Sequence, residues 1–449
     1  KNIKKLVSVL LTLCLLVSLA ACGGSASSSQ SGSTAQPQSG EDSTAPVERV
    51  TIRFWQAGAD TANATNVMNK LVNKFMQENP DILVEYQAFP WSNDPHTAFQ
   101  TAMAGDDVAD LLVVGNPFDY ALACRGQVLP LDEYLDDAVK EDLMGVFASD
   151  CVYQGTNADL NGKYVSMPLF GDARTIIFNK AIFDEAGVEY PDTSWSHEEC
   201  LDAARKLTGT YGGKQVYGFG TSATYCSQYL PFIWNYGGSI LTEDGTAPTI
   251  DTEEWKKGIE YYLTFFEEGL TPPGSESCQL SDTLALFMDG QVAMMIATSD
   301  YAREIQNSEE FGAEKLGVGI VPHDKYQTAQ AGADVMVIPS MARHPEEAGR
   351  LMNFLMQTEN QLEYAKTVGF FPAVKSAAQD PYYLEDPTRR AFADAVDHGK
   401  FWIKGTFSGG VAPILKAGIQ DLILGNIGSV EEYQKSMQEQ VTALIAESN

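Results

Sequence analysis

Residues 162–187 read GKYVSMPLFGDARTIIFNKAIFDEAG, and here the chain changes character. An extended run passes through Pro168 and Gly171, resumes as a strand over 175–178 and is followed by a short helix. Ser196 and Glu199, three apart, then form a capping box that opens another helix.

The chain before this stretch alternates strands and helices. In VERVTIRFWQAG (47–58), Val50, Ile52 and Phe54 share one face and Thr51 and Arg53 the other, which predicts a strand ending at Trp55-Gln56. TNVMNKLVNKFMQENPDI (65–82) places Val67, Leu71, Val72, Phe75 and Met76 at helical spacing until Asn79-Pro80 stops it. A second strand, ILVEYQAF (82–89), leads to a helix closed by Gly105 and a third strand over 111–114. Strand, helix, strand, helix, strand is the parallel-sheet pattern of an α/β lobe. Ligands of such sheets sit beyond the carboxyl ends of the strands, so Trp55, Gln56 and the loop from Asn116 through Asp119 to Tyr120 are candidate walls of a site. As loops that only turn the chain they would carry no function.

The stretch 162–187, with the Pro and Ser-Trp that follow, resembles a segment of extracellular solute-binding proteins of the sugar-binding, maltodextrin-binding-like type. The resemblance recurs in order: PFIWNYGGSILTEDG (231–245), LALFMDGQVAMMIATSDY (284–301), GVGIVP (317–322), AGADVMVIP (331–339) and AGRLMNFLMQTENQLEYAKTVGFFPAV (348–374). It spans residues 50 to about 375, and the terminal helices fit. Each motif is a few residues of helix or turn grammar; their order carries the weight. It implies an α/β, two-lobed, type II periplasmic-binding-protein-like fold, each lobe a mostly parallel sheet flanked by helices, with the ligand cleft between lobes. The first lobe would be 47–170 plus about 300–368, and the second 171–299 plus about 369–449. Crossings are expected at Phe170–Thr175, near Thr298–Tyr301 and near Gly369–Pro372, where small torsion changes let two lobes close on a ligand.

An uncharged, hydroxyl-rich ligand needs flat apolar faces for the C–H side of a sugar ring and planar hydrogen-bonding groups for its hydroxyls. Near the expected loops the chain offers Trp55, Trp91, Tyr225, Trp234, Tyr301, Phe370, Phe371 and Trp402 as faces. Gln56, Asn116, Asp119, Asp172, Arg174, Asn235 and Asp334 are the polar candidates. The resemblance puts Asp172 on a crossing position that places a carboxylate in the cleft. Arg174 has two readings: a salt bridge to Asp172 on the same face of an extended strand, or a contact to a carboxylate or phosphate of the ligand. Trp195 and Trp255 read as core residues.

With 60 acidic against 30 basic residues, the net charge of −30 argues against nucleic acid and anionic lipid as partners. Cys124, Cys151, Cys200, Cys226 and Cys278 have no CxxC spacing and read as buried free thiols, a Cys124–Cys151 bridge being the alternative. The histidines at 96, 197, 323, 344 and 398 lack ligand spacing and read as surface or turn residues. No GxSxG, HExxH, P-loop or GxGxxG occurs, so no cofactor and no enzyme is expected. A glycosidase with a carboxylate pair such as Asp172 and Asp334 is the competing class.

The chain opens with Lys1, Lys4 and Lys5, an apolar run of about 16 residues, too short to span a bilayer, and small residues, the build of a signal peptide over 1–21. Leu19-Ala20-Ala21-Cys22 resembles a bacterial lipobox, which implies acylation of Cys22 and anchorage to the outer face of the cytoplasmic membrane, as on a Gram-positive-type surface. Residues 23–46, rich in Ser, Gly and Gln, read as a flexible tether with a reach of about 25–30 Å. The full expectation is a monomeric, lipid-anchored carbohydrate receptor for an ABC permease. The alternatives are an anchored carbohydrate-active enzyme, a binder of glycerol phosphate or another non-sugar solute, and a partner of a sensor kinase.

Overall fold

The computed structural model describes residues 49–448 apart from 60, 156 and 244; the leader, Cys22 and the Ser/Gly segment lie outside the described residues. In chain order the strands are β1 (Val50–Ala57), β2 (Ile82–Phe89), β3 (Leu111–Gly115), β4 (Met167–Ala173), β5 (Thr175–Asn179), β6 (Gly209–Tyr211), β7 (Lys214–Gly220), β8 (Val292–Ala297), β9 (Leu316–Gly319), β10 (Ala329–Val337) and β11 (Gly399–Lys400). They form two sheets, ordered β11-β10-β3-β1-β2, with β4 also paired to β10, and β6-β7-β8-β5-β9.

The first sheet grows from the expected α/β start. β1 pairs in parallel with β2 and β3. The helix Ala62–Glu78 buries Val67, Leu71, Val72 and Phe75, starts on Thr61, whose side chain accepts from the Ala64 amide, and stops at Asn79 before Pro80. β10 and β4 then add antiparallel.

The second sheet is not mostly parallel: β7 and β8 form its parallel pair, while β5 runs antiparallel to both β8 and β9. Local turn chemistry is one cause. Gly212 and Gly213, at φ 55° and 77°, make a two-residue hairpin that folds β6 back on β7. One face of this sheet packs on the helices His197–Leu207, Leu230–Tyr236, Glu253–Glu267, Ser408–Ile423 and Val430–Ser448, with Trp195 and Trp255 inside as read from sequence. The other face, through Ile177, Val292, Met295 and Leu316, joins the core of the first sheet.

The first crossing is the single residue Arg174, between β4 and β5, inside the expected window. The other two lie later than expected. Thr298 only caps the helix Ser299–Gln306, and β9 still belongs to the second sheet, so the chain returns through 320–328. Phe371 likewise exchanges hydrogen bonds with Gly171, and Val374 bridges Leu143, keeping 369–374 beside the first sheet. The last crossing is 401–407, between β11 and the helix Ser408–Ile423. Cys124, Cys151, Cys200, Cys226 and Cys278 are free thiols, so the alternative Cys124–Cys151 bridge is not formed.

Candidate functional site

The two sheets flank a cleft of about 570 Å³, built where strands end and crossings begin. β1 ends into Gly58, β3 into Gly115-Asn116, and β4 delivers Phe170 and Asp172 just before Arg174. β10 contributes Gln330 to Asp334, and the start of the helix Ser299–Gln306 contributes Asp300 and Tyr301.

Aromatic rings give the cleft its flat surfaces. Trp91 lies against two glycines: a Cβ on Gly58 would meet its Nε1 at 2.6 Å, and one on Gly115 its Cη2 at 2.8 Å. Its indole stays 39 % exposed. Phe370 stacks on Phe170 with centroids 4.3 Å apart and planes within 3°, and Phe170 stacks in turn on Tyr364. Tyr225, Tyr301 and Trp402 complete the set, and Trp402 is fixed by its Nε1 donating to the Ser408 carbonyl at 3.2 Å.

The polar groups are mostly hydrogen-bond acceptors. Asn116 Oδ1, Asp172 Oδ1, Asp300 Oδ1 and Gln330 Oε1 are buried oxygens without a hydrogen-bond partner. Burial pushes the Asp172 carboxyl up to about 7; the Arg174 guanidinium, 3.7 Å away, opposes that shift and the Asp300 carboxylate adds to it. Burial raises Asp300 as well. His96 also lines the cleft, held down to about 4 by burial and therefore neutral. It stacks on Phe118 at 4.0 Å and accepts from the Gly115 amide through Nε2 at 3.2 Å.

Of the residues picked from sequence, Asn116, Asp172, Arg174, Tyr225, Tyr301, Asp334, Phe370 and Trp402 line the cleft, as does Trp91. The Arg174–Asp172 pair is formed. Trp55 lies outside it, packed between Phe89 and Phe99, because the pleat turns it away from Phe54 and Gln56. Gln56 is one layer behind: its amide donates to the Tyr364 hydroxyl at 2.7 Å and its carbonyl accepts from Tyr86 at 2.8 Å. Asp119 is buried beneath the wall, taking the Ser166 hydroxyl at 2.7 Å, and Phe371 is core. Trp234, 3 % exposed, packs in the core of the second lobe.

Asn235 has a mechanical position. Its amide donates to the Pro322 carbonyl at 2.9 Å, its carbonyl oxygen accepts from the Thr328 amide at 2.8 Å and from the Thr328 hydroxyl, and its main-chain carbonyl accepts from Tyr326. It fastens both ends of the crossing 320–328 to the second lobe. Asn235→Ala leaves those buried groups unpaired and is expected to cost about 2 kcal/mol of stability, read by chemical denaturation. An unchanged midpoint would show the fastening to be dispensable.

Sequence reasoning missed His96, Asp300, Gln330 and Tyr364. Asp300 was within reach, since it begins the helix after β8, a strand-end position like Asn116. His197 is an interior rather than a surface residue, and His96 is half-buried in the cleft wall. His197 lies between Tyr236 and Tyr261 with Nδ1 3.0 Å from Asp324 Oδ2. Among the described residues no three histidine, cysteine or carboxylate side chains gather as a metal site, and no helix is long and apolar enough to cross a membrane.

Comparison with known proteins points one way. A candidate binding protein of Brucella abortus (strain 2308) is 28% identical over 334 residues, covering 73% of this chain and 77% of its own. The galactooligosaccharide-binding protein of Bacillus subtilis (strain 168) is 24% identical over 413 residues, 88% and 86% of the two chains. The structure of the GacH receptor of Streptomyces glaucescens superimposes with a TM-score of 0.77 at 20% identity, over 89% of this chain and 99% of that one. The model of the bacterial extracellular solute-binding protein family matches residues 58–362. With that match covering most of the folded body, and with two sheets facing each other across a ligand-sized cleft, the chain belongs to the bacterial extracellular solute-binding proteins.

Proposed function

We propose that the protein captures a carbohydrate, mono- or oligosaccharide, in this cleft by lobe closure and delivers it to the permease of an ABC importer. It acts as an exported monomer anchored at the outer face of the cytoplasmic membrane by a lipid on Cys22. The observation that carries this reading is the pairing of exposed aromatic faces with buried, unpartnered acceptor oxygens, which together suit the C–H face and the hydroxyl donors of a sugar. The name of the galactooligosaccharide-binding relative supports it. A phosphate or carboxylate ligand fits less well, because Arg174 already faces Asp172, and Asp300 and Asp334 repel an anion. We read the protein as a receptor rather than an enzyme, since its relatives are binding proteins.

The test is a thermal-shift screen of the exported chain carrying Cys22→Ser against galacto-, arabino- and malto-oligosaccharides, sugar acids and glycerol phosphate, each hit being re-isolated. A saccharide recovered intact should stabilise the protein by about 2.7 kcal/mol at 100 times its dissociation constant. Cleavage of the hit would make the protein an enzyme, and stabilisation by glycerol phosphate alone would replace the sugar reading.

A further inference from the structure

Behind the first-lobe wall lies a charged cluster, with buried Asp119 and Asp150 and a half-buried Lys404, none of which lines the cleft. Asp150, in the helix Gly145–Cys151, accepts from Asn116 Nδ2 on one carboxylate oxygen and pairs with Lys404 Nζ at 2.8 Å on the other. Lys404 Nζ also donates to the main-chain carbonyl of Asp150. Lys404 belongs to the last crossing, two residues beyond Trp402 of the cleft. The same ammonium offsets the charge of Asp119, whose second carboxylate oxygen has no partner.

The polarity of this chain of contacts is set by chemistry. An ionised carboxylate only accepts, so Asp150 requires Asn116 to turn its NH2 inward. The amide atom left for the cleft is Oδ1, buried and unpartnered. Burial works against ionisation of Asp150, and Lys404 is the cation that opposes it. Without Lys404 the carboxyl can take up a proton and donate, and the amide of Asn116 can then face either way.

We propose that Lys404 is a positioning residue for ligand recognition: from the last crossing it pins Asp150, and Asp150 fixes Asn116 so that a hydrogen-bond acceptor meets a hydroxyl of the ligand. This rests on the carbohydrate reading of the cleft. The seat of the crossing and the hydrogen-bond polarity of the wall are thereby set together.

The test is a double-mutant cycle on the full exported chain, titrated calorimetrically with galactobiose, arabinobiose and maltotriose. For the saccharide that binds tightest, Lys404→Met and Asp150→Asn should each lower affinity about tenfold, and Lys404→Arg should recover most of it. Lys404→Met should add nothing to Asn116→Ala. A full tenfold loss from Lys404→Met in the Asn116→Ala background would overturn the proposal, because the lysine would then act without Asn116. Asp150→Asn, which keeps the side-chain shape, carries the cycle if Lys404→Met does not fold. If none of the three sugars binds the parent protein, these three are excluded as its cargo and the proposal is decided without ligand. The side-chain amide resonances of Asn116 in the unliganded protein, identified by their absence in Asn116→Ala, then decide: they should move in Asp150→Asn and Lys404→Met and return in Lys404→Arg. Resonances that stay in place would sink the positioning role.

Discussion

Asp172→Asn is expected to make the empty protein more stable above neutral pH while lowering ligand affinity about a hundredfold. Asp172 is 6 % exposed, one of its oxygens has no partner, and its carboxyl is pushed up to about 7. In the unfolded chain the same group titrates near 3.9. Between those values the folded protein holds a proton that the unfolded chain has lost, so stability falls as pH rises from about 4 to about 7 and stays low above. Asparagine has the same shape and no charge, so it removes that loss. The expected gain is about 1–3 kcal/mol at pH 8, net of the partner that Arg174 gives up, and it shrinks as the pH falls toward 4. The loss of affinity follows because a carboxylate accepts from hydroxyls more strongly than an amide, and Asp172 Oδ1 has no partner within the protein. Denaturation curves at pH 5 and 8 with a ligand titration check both halves. A stability difference independent of pH would show that Asp172 is ionised throughout.

Gly171→Ala is expected to destabilise the fold by about 3 kcal/mol or more. A Cβ there would lie 1.9 Å from Cζ of Phe147, whose ring is fully buried and meets Phe401 of the last crossing edge-on. β4 cannot retreat easily, since Gly171 and Phe371 exchange main-chain hydrogen bonds at 2.9 and 3.0 Å. Shortening the ring should return part of the loss, so Gly171→Ala with Phe147→Leu should be more stable than the sum of the two single changes predicts. Strict additivity would rule out this clash as the cause.

The first sheet was legible because its signals are local. The two-residue period of Val50, Ile52 and Phe54 and the helical stripe from Val67 to Phe75 survive folding unchanged. The first crossing was legible for a similar reason, a short extended run between two strands. The second was not, because 320–328 has no regular structure and is held by Asn235, some 90 positions earlier in sequence. Trp234 shows the limit for the candidate site: an aromatic beside a Gly-Gly turn looks the same whether it faces a ligand or, as here, a core of Phe and Tyr rings. The Asn116–Asp150–Lys404 chain joins three separate segments, and nothing in any of them marks the other two.

The way the crossings meet has a mechanical consequence. β4 leaves the first sheet at Ala173 while paired with Ala331 of β10, and the Arg174 amide still donates to the Gln330 carbonyl at 2.9 Å. β11, paired with β10 just before the last crossing, joins them, so all three connections run through neighbouring strands laced together up to the joint, a ribbon rather than separate strings. A ribbon flexes across its flat face and resists sliding along its length, because sliding would break the lacing. The jaws should swing about one axis and keep their alignment. The rings and acceptors of the two walls would then meet in the same register at each closure.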